Sequence, residues 1–272
     1  MQYVTKRLLA LTSYIVLLVL LPIPVEAQDD SEGFQLIHKG YGLSLHKEMY
    51  MMPITYSNKY NGIKTEVVFQ LSAKHQIFKT PIYFGYTQIS FWQAYDEKNS
   101  SPFRETNYNP ELFYRTRRFP FYGGRFGADI GFEHESNGQK APFSRSWNLL
   151  YACPYYYQSN FLLYLKFRYR LPEDKKEFEG SAVGDDNPDI TDFLGYNDFH
   201  LFYRFSGHHL LHLTVRGNAN TGKGCVALNY SMLIPTGKVS FLNIRISHGY
   251  GESLVDYNRS LTRIGCGLMF AR

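Results

Sequence analysis

The sequence predicts an all-β fold, a 12-stranded antiparallel transmembrane β-barrel. Three observations predict it. Segments of about ten residues alternate between apolar and polar side chains, the length of a tilted strand crossing a membrane. The connections between them alternate between short and long, as turns at one end of such a barrel and loops at the other do. The chain also opens on a basic pair, an apolar run and a small residue, the pattern of a secretory leader.

The leader comes first in chain order. Lys6 and Arg7 precede the apolar run Leu8–Leu21, and Pro22-Ile23-Pro24-Val25-Glu26-Ala27 closes it. Cleavage is expected after Ala27, and no Cys follows the cut to carry a lipid anchor. The expected organisation is a signal peptide over 1–27, an N-terminal periplasmic segment over 28–48, and the barrel over 49–272. Composition supports the rest. A mean hydropathy of −0.32 excludes a helical membrane bundle. An aromatic content of 17% argues against disorder. The net charge of +5 is scattered, so it offers nucleic acid no footing.

Strands are expected at 65–75, 82–92, 111–118, 125–136, 146–157, 160–170, 196–206, 208–217, 224–234, 239–249 and 262–271. The clearest is 160–170, where Phe161, Leu163, Leu165, Phe167 and Tyr169 share a face opposite Lys166, Arg168 and Arg170. A barrel with both termini at its short-turn end needs an even count. Met49–Tyr56 therefore becomes the first strand despite Pro53, which an edge-like strand tolerates. A soluble sandwich also alternates. Ten-residue strands, the leader and aromatic clusters at strand ends such as Tyr155-Tyr156-Tyr157 favour the membrane barrel.

The long loops, 93–110, 137–145, 172–195 and 250–261, gather at one end. Loop 172–195 is rich in Asp and Glu and reads as a solvated outer loop, because the spacing of a calcium-binding helix–loop–helix motif is absent. Cys153, Cys225 and Cys266 read as small strand residues without a partner. His208, His209 and His212 fall on both faces of a strand, which suits no metal site. Gly265 and Gly267 read as strand glycines at a close approach.

The residues that carry chemistry lie in Gly131-Phe132-Glu133-His134-Glu135-Ser136-Asn137-Gly138-Gln139 and in Ser144-Arg145-Ser146-Trp147-Asn148. His134 and Ser136 are two apart on a strand and share its face. The same face continues through Phe132, Ile130 and Ala128, which suit lipid, whereas Asp129, Glu133 and Glu135 suit a polar lumen. A hairpin centred near Ala141 places Asn148 opposite His134, where Cβ atoms are about 4.5–5.5 Å apart. A hydroxyl, an imidazole and an amide then converge on the lipid-facing wall. Ser136 gives its proton to one imidazole nitrogen, and Asn148 accepts from the other and holds the tautomer. A neutral amide also costs less beside lipid than an ionised carboxylate.

Longer blocks extend this pattern. They are Phe84-Gly85-Tyr86-Thr87-Gln88, Ser100-Ser101-Pro102-Phe103-Arg104-Glu105-Thr106-Asn107-Tyr108, Asn187-Pro188-Asp189-Ile190 and Gly249-Tyr250-Gly251-Glu252-Ser253-Leu254 with Asp256-Tyr257-Asn258. On these blocks residues 46–270 resemble the outer-membrane phospholipase A family. The resemblance implies a calcium-dependent serine hydrolase on the outer wall of the barrel, releasing fatty acid and lysophospholipid. It implies Ser136 as nucleophile, His134 as base and Asn148 as orienter, with the Gly138 amide stabilising the oxyanion. It also implies a homodimer as the active form, with calcium held by Ser144, the Gln139 carbonyl and Ser100 of the partner subunit. Three positions depart from the family pattern: Gln139 stands where an Arg is usual, Ala141 where an Asp is usual, and Glu135 where a Gln or Asp is usual.

Two rivals are a non-catalytic pore or structural barrel and a lipid A deacylase. A pore has no use for an outward Ser–His–Asn set. The calcium-loop and Tyr250-Gly251-Glu252-Ser253-Leu254 blocks favour the phospholipase over the deacylase.

Overall fold

A chain whose strands are apolar on one face has to bury or lipidate that face, and in lipid no water satisfies a free strand edge. Closure answers both demands. The computed structural model describes residues 34–38, 42–58, 65–178, 181, 183–205, 208–235 and 240–272; the expected leader 1–27 lies outside them. Twelve strands form one antiparallel ring: β1 Met49–Ser57, β2 Thr65–Gln76, β3 Ile82–Trp92, β4 Phe103–Arg115, β5 Gly124–Ser136, β6 Ser146–Tyr157, β7 Phe161–Arg170, β8 Asn197–Arg204, β9 His209–Asn218, β10 Lys223–Leu233, β11 Phe241–Gly249 and β12 Leu261–Ala271. Each pairs with its sequence neighbours, and β12 pairs back onto β1. Short strands at Leu43–Leu45 and Phe119–Phe121 lie against β2 and β5.

Alternation sorts the two faces. On β4, Glu105, Asn107 and Glu111 are buried inside, while Tyr108 and Leu112 face outward. Ile130, Phe132, Leu150, Ile244, Ile246 and Ile264 continue the exposed apolar wall. No helix among the described residues is long and apolar enough to cross a membrane.

One expectation is corrected. The loop expected over 93–110 is only 93–102, because β4 begins at Phe103. Arg104, Glu105, Asn107 and Asn109 look loop-like because they are polar, but they are the lumen-facing half of a strand. Pro53 does lie in β1, and the β1–β2 register shifts by one between Met52 and Thr55, so the proline occupies a bulge. Two further readings hold. The three cysteines are free. A Cβ on Gly267 would stand 2.1 Å from the Met51 carbonyl oxygen, which only glycine avoids.

The lumen is filled by paired charges. Glu66 accepts from Arg104 at 2.6 Å and from Arg263 at 2.9 Å. Arg115 pairs with Asp129 at 2.6 Å, Lys166 with Glu133 at 2.7 Å, and Arg168 with Asp198. Each partner is needed, because removing one strands a buried charge at a cost of roughly 3–5 kcal/mol. Within this network lies a cavity of about 280 Å³.

The long-loop end is capped. The single-turn helix α1, Ile190–Leu194, packs with Trp147, Leu149, Leu254 and Tyr257. Burial, and the hydrogen bond that its hydroxyl donates to Asp189, push the Tyr257 phenol up from its ordinary value.

At the short-turn end the described part of the 28–48 segment is built into the barrel. Phe34, Leu36 and Ile37 are buried against Tyr155, Tyr157, Leu162, Phe202 and Leu210. Lys74, 1% exposed, donates to the carbonyls of Leu36 at 2.6 Å and Leu45 at 2.5 Å. Replacing Lys74 by Ala removes two charge-assisted bonds, each worth about 1.5–3 kcal/mol. Limited proteolysis should then cut within 34–48 while the barrel keeps its heat-modifiable mobility. Protection equal to that of the unaltered protein would refute the clamp.

Candidate active site

The site is set by the β5–β6 hairpin. Its register pairs Ile130 with Ala152, Phe132 with Leu150, His134 with Asn148, and Ser136 with Ser146. His134 and Asn148 are thus direct cross-strand neighbours. Their side chains meet, with His134 Nδ1 2.9 Å from Asn148 Oδ1. An amide oxygen only accepts, so this bond requires the proton on Nδ1. Ser136 follows on the same face, about 6.6 Å along the strand. All three are half-buried at the upper rim of the apolar wall.

The other flank is β4. Tyr108 pairs with Ser136, and the ladder resumes at Glu111 opposite Glu133. The unpaired step holds Asn109 and Pro110, and a proline has no N–H to give. The Asn109 side chain repairs the gap by donating to the His134 carbonyl at 3.1 Å.

Loop 137–145 is held by Asn137, which sequence reasoning missed. Its Oδ1 accepts from the amides of Gln139 at 3.2 Å and Arg145 at 2.9 Å. Its Nδ2 donates to the Phe143 carbonyl at 2.8 Å. Asparagine after a strand signals a turn, but not which groups it ties. Gly138 follows with φ +64°, and a Cβ there would stand 3.3 Å from the Tyr108 ring. The amide expected to serve the oxyanion therefore sits where a side chain is both strained and crowded.

The remaining expected residues lie at the same end. Ser144 Oγ donates to Asp186 Oδ2 at 2.6 Å. Gln139 is exposed. Ser100 is exposed in loop 93–102, at φ 61° after the turn Glu97–Asn99.

Loop 172–195 departs from the solvated loop expected of it. Asp186 reaches Ser144, Asp185 pairs with Arg170 at 2.6 Å, and Asn187 accepts from the Ser146 amide at 3.0 Å. Glu173 accepts from Asn148 Nδ2 at 3.2 Å. Its charges look solvated in sequence because their partners come from β6, β7 and the loop before β6.

Two of the sequence blocks outside the hairpin hold each other in place. Asn107 accepts from the Leu254 amide at 3.1 Å, Glu105 from the Val255 amide at 3.1 Å, and Asp256 from Arg104 at 2.6 Å. They tie loop 250–260 to β4, next to the strand that carries Ser136.

Replacing Asn137 by Ala should strand several of its partners in the loop, at about 1–3 kcal/mol for each donor left unsatisfied. Hydrogen exchange of the Gln139 and Arg145 amides should speed up, with β-sheet content unchanged. Unaltered exchange at both amides would show that another group holds the loop.

Comparison with known proteins bears on the family and the fold. A family profile described as phospholipase A1 matches residues 30–270. A putative phospholipase A1 of Neisseria meningitidis is 36% identical over 84% of this chain, which spans 65% of that relative's length. The phospholipase A1 of Salmonella typhimurium is 38% identical over 79% of this chain and 73% of its own. Among solved structures, the outer membrane phospholipase A of Escherichia coli superposes with a TM-score of 0.75 at 33% identity, covering 84% of this chain and 94% of that one. The Salmonella typhi outer membrane phospholipase, solved as a dimer with bound calcium, gives a TM-score of 0.74 at 35% identity over 86% and 93%. With its closed 12-stranded ring, its outward apolar wall and a match along nearly its whole described length, the chain belongs to the phospholipase A1 family of outer-membrane β-barrels.

Proposed function

We propose that Ser136, His134 and Asn148 form a catalytic triad that hydrolyses acyl esters of membrane phospholipids from the lipid-facing wall. The observation that carries the reading is the 2.9 Å bond between His134 Nδ1 and Asn148 Oδ1 on a face that continues into apolar residues. A pore gains nothing from it, and the lumen holds ion pairs and the N-terminal segment.

Each residue has one task. Asn148 keeps the Nδ1 proton, so Nε2 is left to act as the base toward the serine. Ser136 Oγ attacks the ester carbon as its proton moves to Nε2. The amide of Gly138 donates to the developing oxyanion. The carbon–oxygen bond to glycerol breaks, the proton passes from His134 to the leaving oxygen, and lysophospholipid departs. Water then attacks the acyl-serine, again losing its proton to His134, and fatty acid leaves as Ser136 is restored. The substrate approaches laterally from the bilayer, since its acyl chains lie beside Phe132, Leu112 and Leu150.

The donor set fits calcium, a hard cation that takes oxygen ligands. Ser144 Oγ, the Gln139 carbonyl and Ser100 of the partner subunit would hold it, and Asp186 brings a carboxylate to Ser144. When bound, the ion supplies positive charge beside the oxyanion. The exposure of Ser100 and Gln139 in outer loops suits a site completed between two copies. The Salmonella typhi relative has been solved as a dimer with bound calcium. A hydrolase facing its own membrane needs a gate, and dimerisation supplies one by mass action.

Replacing Ser136 by Ala should lower turnover of phospholipid in mixed micelles by roughly 10⁴-fold or more while the barrel stays heat-modifiable. Retention of ordinary turnover would remove Ser136 as nucleophile. Excess chelator should abolish activity and, in crosslinking, lower the dimer fraction; specific activity should rise with that fraction as protein is concentrated. Constant activity per chain at concentrations where only monomer crosslinks would rule the gate out.

A further inference from the structure

Asn148 has two ends, and the triad uses only one. Its Oδ1 faces His134. Its Nδ2 lies 3.2 Å from Glu173 Oε1. Glu173 is the third residue past the end of β7, and it does not swing freely. The Leu171 amide donates to the Asn148 carbonyl at 2.8 Å, which carries the chain past β7 alongside β6. The Asp185 amide donates to the Asp174 carbonyl at 2.7 Å, closing the loop back on itself. Arg170 then clamps the returning strand of the loop through Asp185 and the Asn187 carbonyl, at 2.6 and 3.0 Å. The half-buried Glu173 carboxylate is thereby presented to one side of one amide.

An isolated asparagine amide can turn over, because its oxygen and nitrogen ends are nearly the same shape. Turned over, Asn148 would offer N–H to His134 Nδ1. The imidazole would answer by carrying its proton on Nε2, which is the nitrogen the serine needs free. A carboxylate only accepts. Glu173 therefore accepts the Nδ2 end and rejects the Oδ1 end, and so fixes which end faces the histidine.

We propose that Glu173 is a positioning residue of the proposed triad, acting through Asn148 to select the His134 tautomer that leaves Nε2 as the base. The idea rests on the triad reading. It adds a fourth residue, drawn from the acidic loop, whose task is orientation. Its charge also favours the imidazolium that forms when His134 takes the serine proton.

The test is a mutant cycle on the calcium-loaded full chain in mixed micelles, with gel mobility as the check on folding. Glu173→Ala should lower kcat by about 10- to 100-fold with little change in KM, as loss of orientation does. Glu173→Gln keeps an acceptor oxygen and should recover most of that loss. In an Asn148→Ala background, Glu173→Ala should cost nothing more, because the residue through which it acts is gone. In an Asn148→Asp background the sign should invert. Two carboxylates then face each other, and Glu173→Gln should raise activity. Equal losses from Glu173→Ala in the presence and absence of the Asn148 side chain would overturn the proposal, as would wild-type kcat in Glu173→Ala. If Asn148→Ala is itself without effect, the triad reading falls and takes this proposal with it. If Asn148→Ala is impaired and Glu173→Ala is not, only the role of Glu173 falls.

Discussion

The register of one hairpin governs the chemistry of this protein. A slip of one residue between β5 and β6 would turn every side chain of the moving strand to the other face. His134 would point into the lumen among ion pairs, and Glu133 would meet lipid. The alternative is therefore very costly, since a carboxylate now paired with Lys166 would lose its partner and face hydrocarbon. The same charges that fill the barrel thus hold the triad on its rim, although none of them touches it.

The lumen performs a second service. Arg104 bridges Glu66 on β2 to Asp256 in loop 250–260, and Arg263 on β12 joins both Glu66 and Glu252. Loops that would move freely on a porin are stitched to the strands beneath them. A site that has to hold a nucleophile, a base and an oxyanion donor in one geometry gains from such a base. The polar interior and the lipid-facing site are then two halves of one arrangement.

Much of this was legible in the sequence. Alternation over 125–136 and 146–157 gave both faces of the hairpin, and its centre gave the opposition of His134 and Asn148. Two stretches were not legible, for a shared reason. Residues 103–110 carry Arg, Glu, Asn and Pro, the composition of a loop, because a lumen full of charge asks polar residues of its strands. Loop 172–195 is acidic, the composition of a solvated segment, because its counter-charge Arg170 and its donors Ser144 and Asn148 are spread across other parts of the site. Local composition reports on average surroundings. In a barrel the surroundings of a polar residue are decided by strands distant in the chain.

The buried N-terminal segment bears on how such a barrel comes into being. Residues 34–38 lie among side chains of β6, β7, β8 and β9, and the carbonyls of Leu36 and Leu45 are gripped by Lys74. A closed ring offers no lateral entry to a peptide that has to cross its floor. Once the first and last strands meet, the segment can reach this place only through the short-turn mouth. That meeting joins Thr55 to Arg263, 208 residues apart in the chain, a pairing whose loop-closure entropy makes it slow. Until the seam closes, β1 and β12 each present an open edge to whatever strand is nearest.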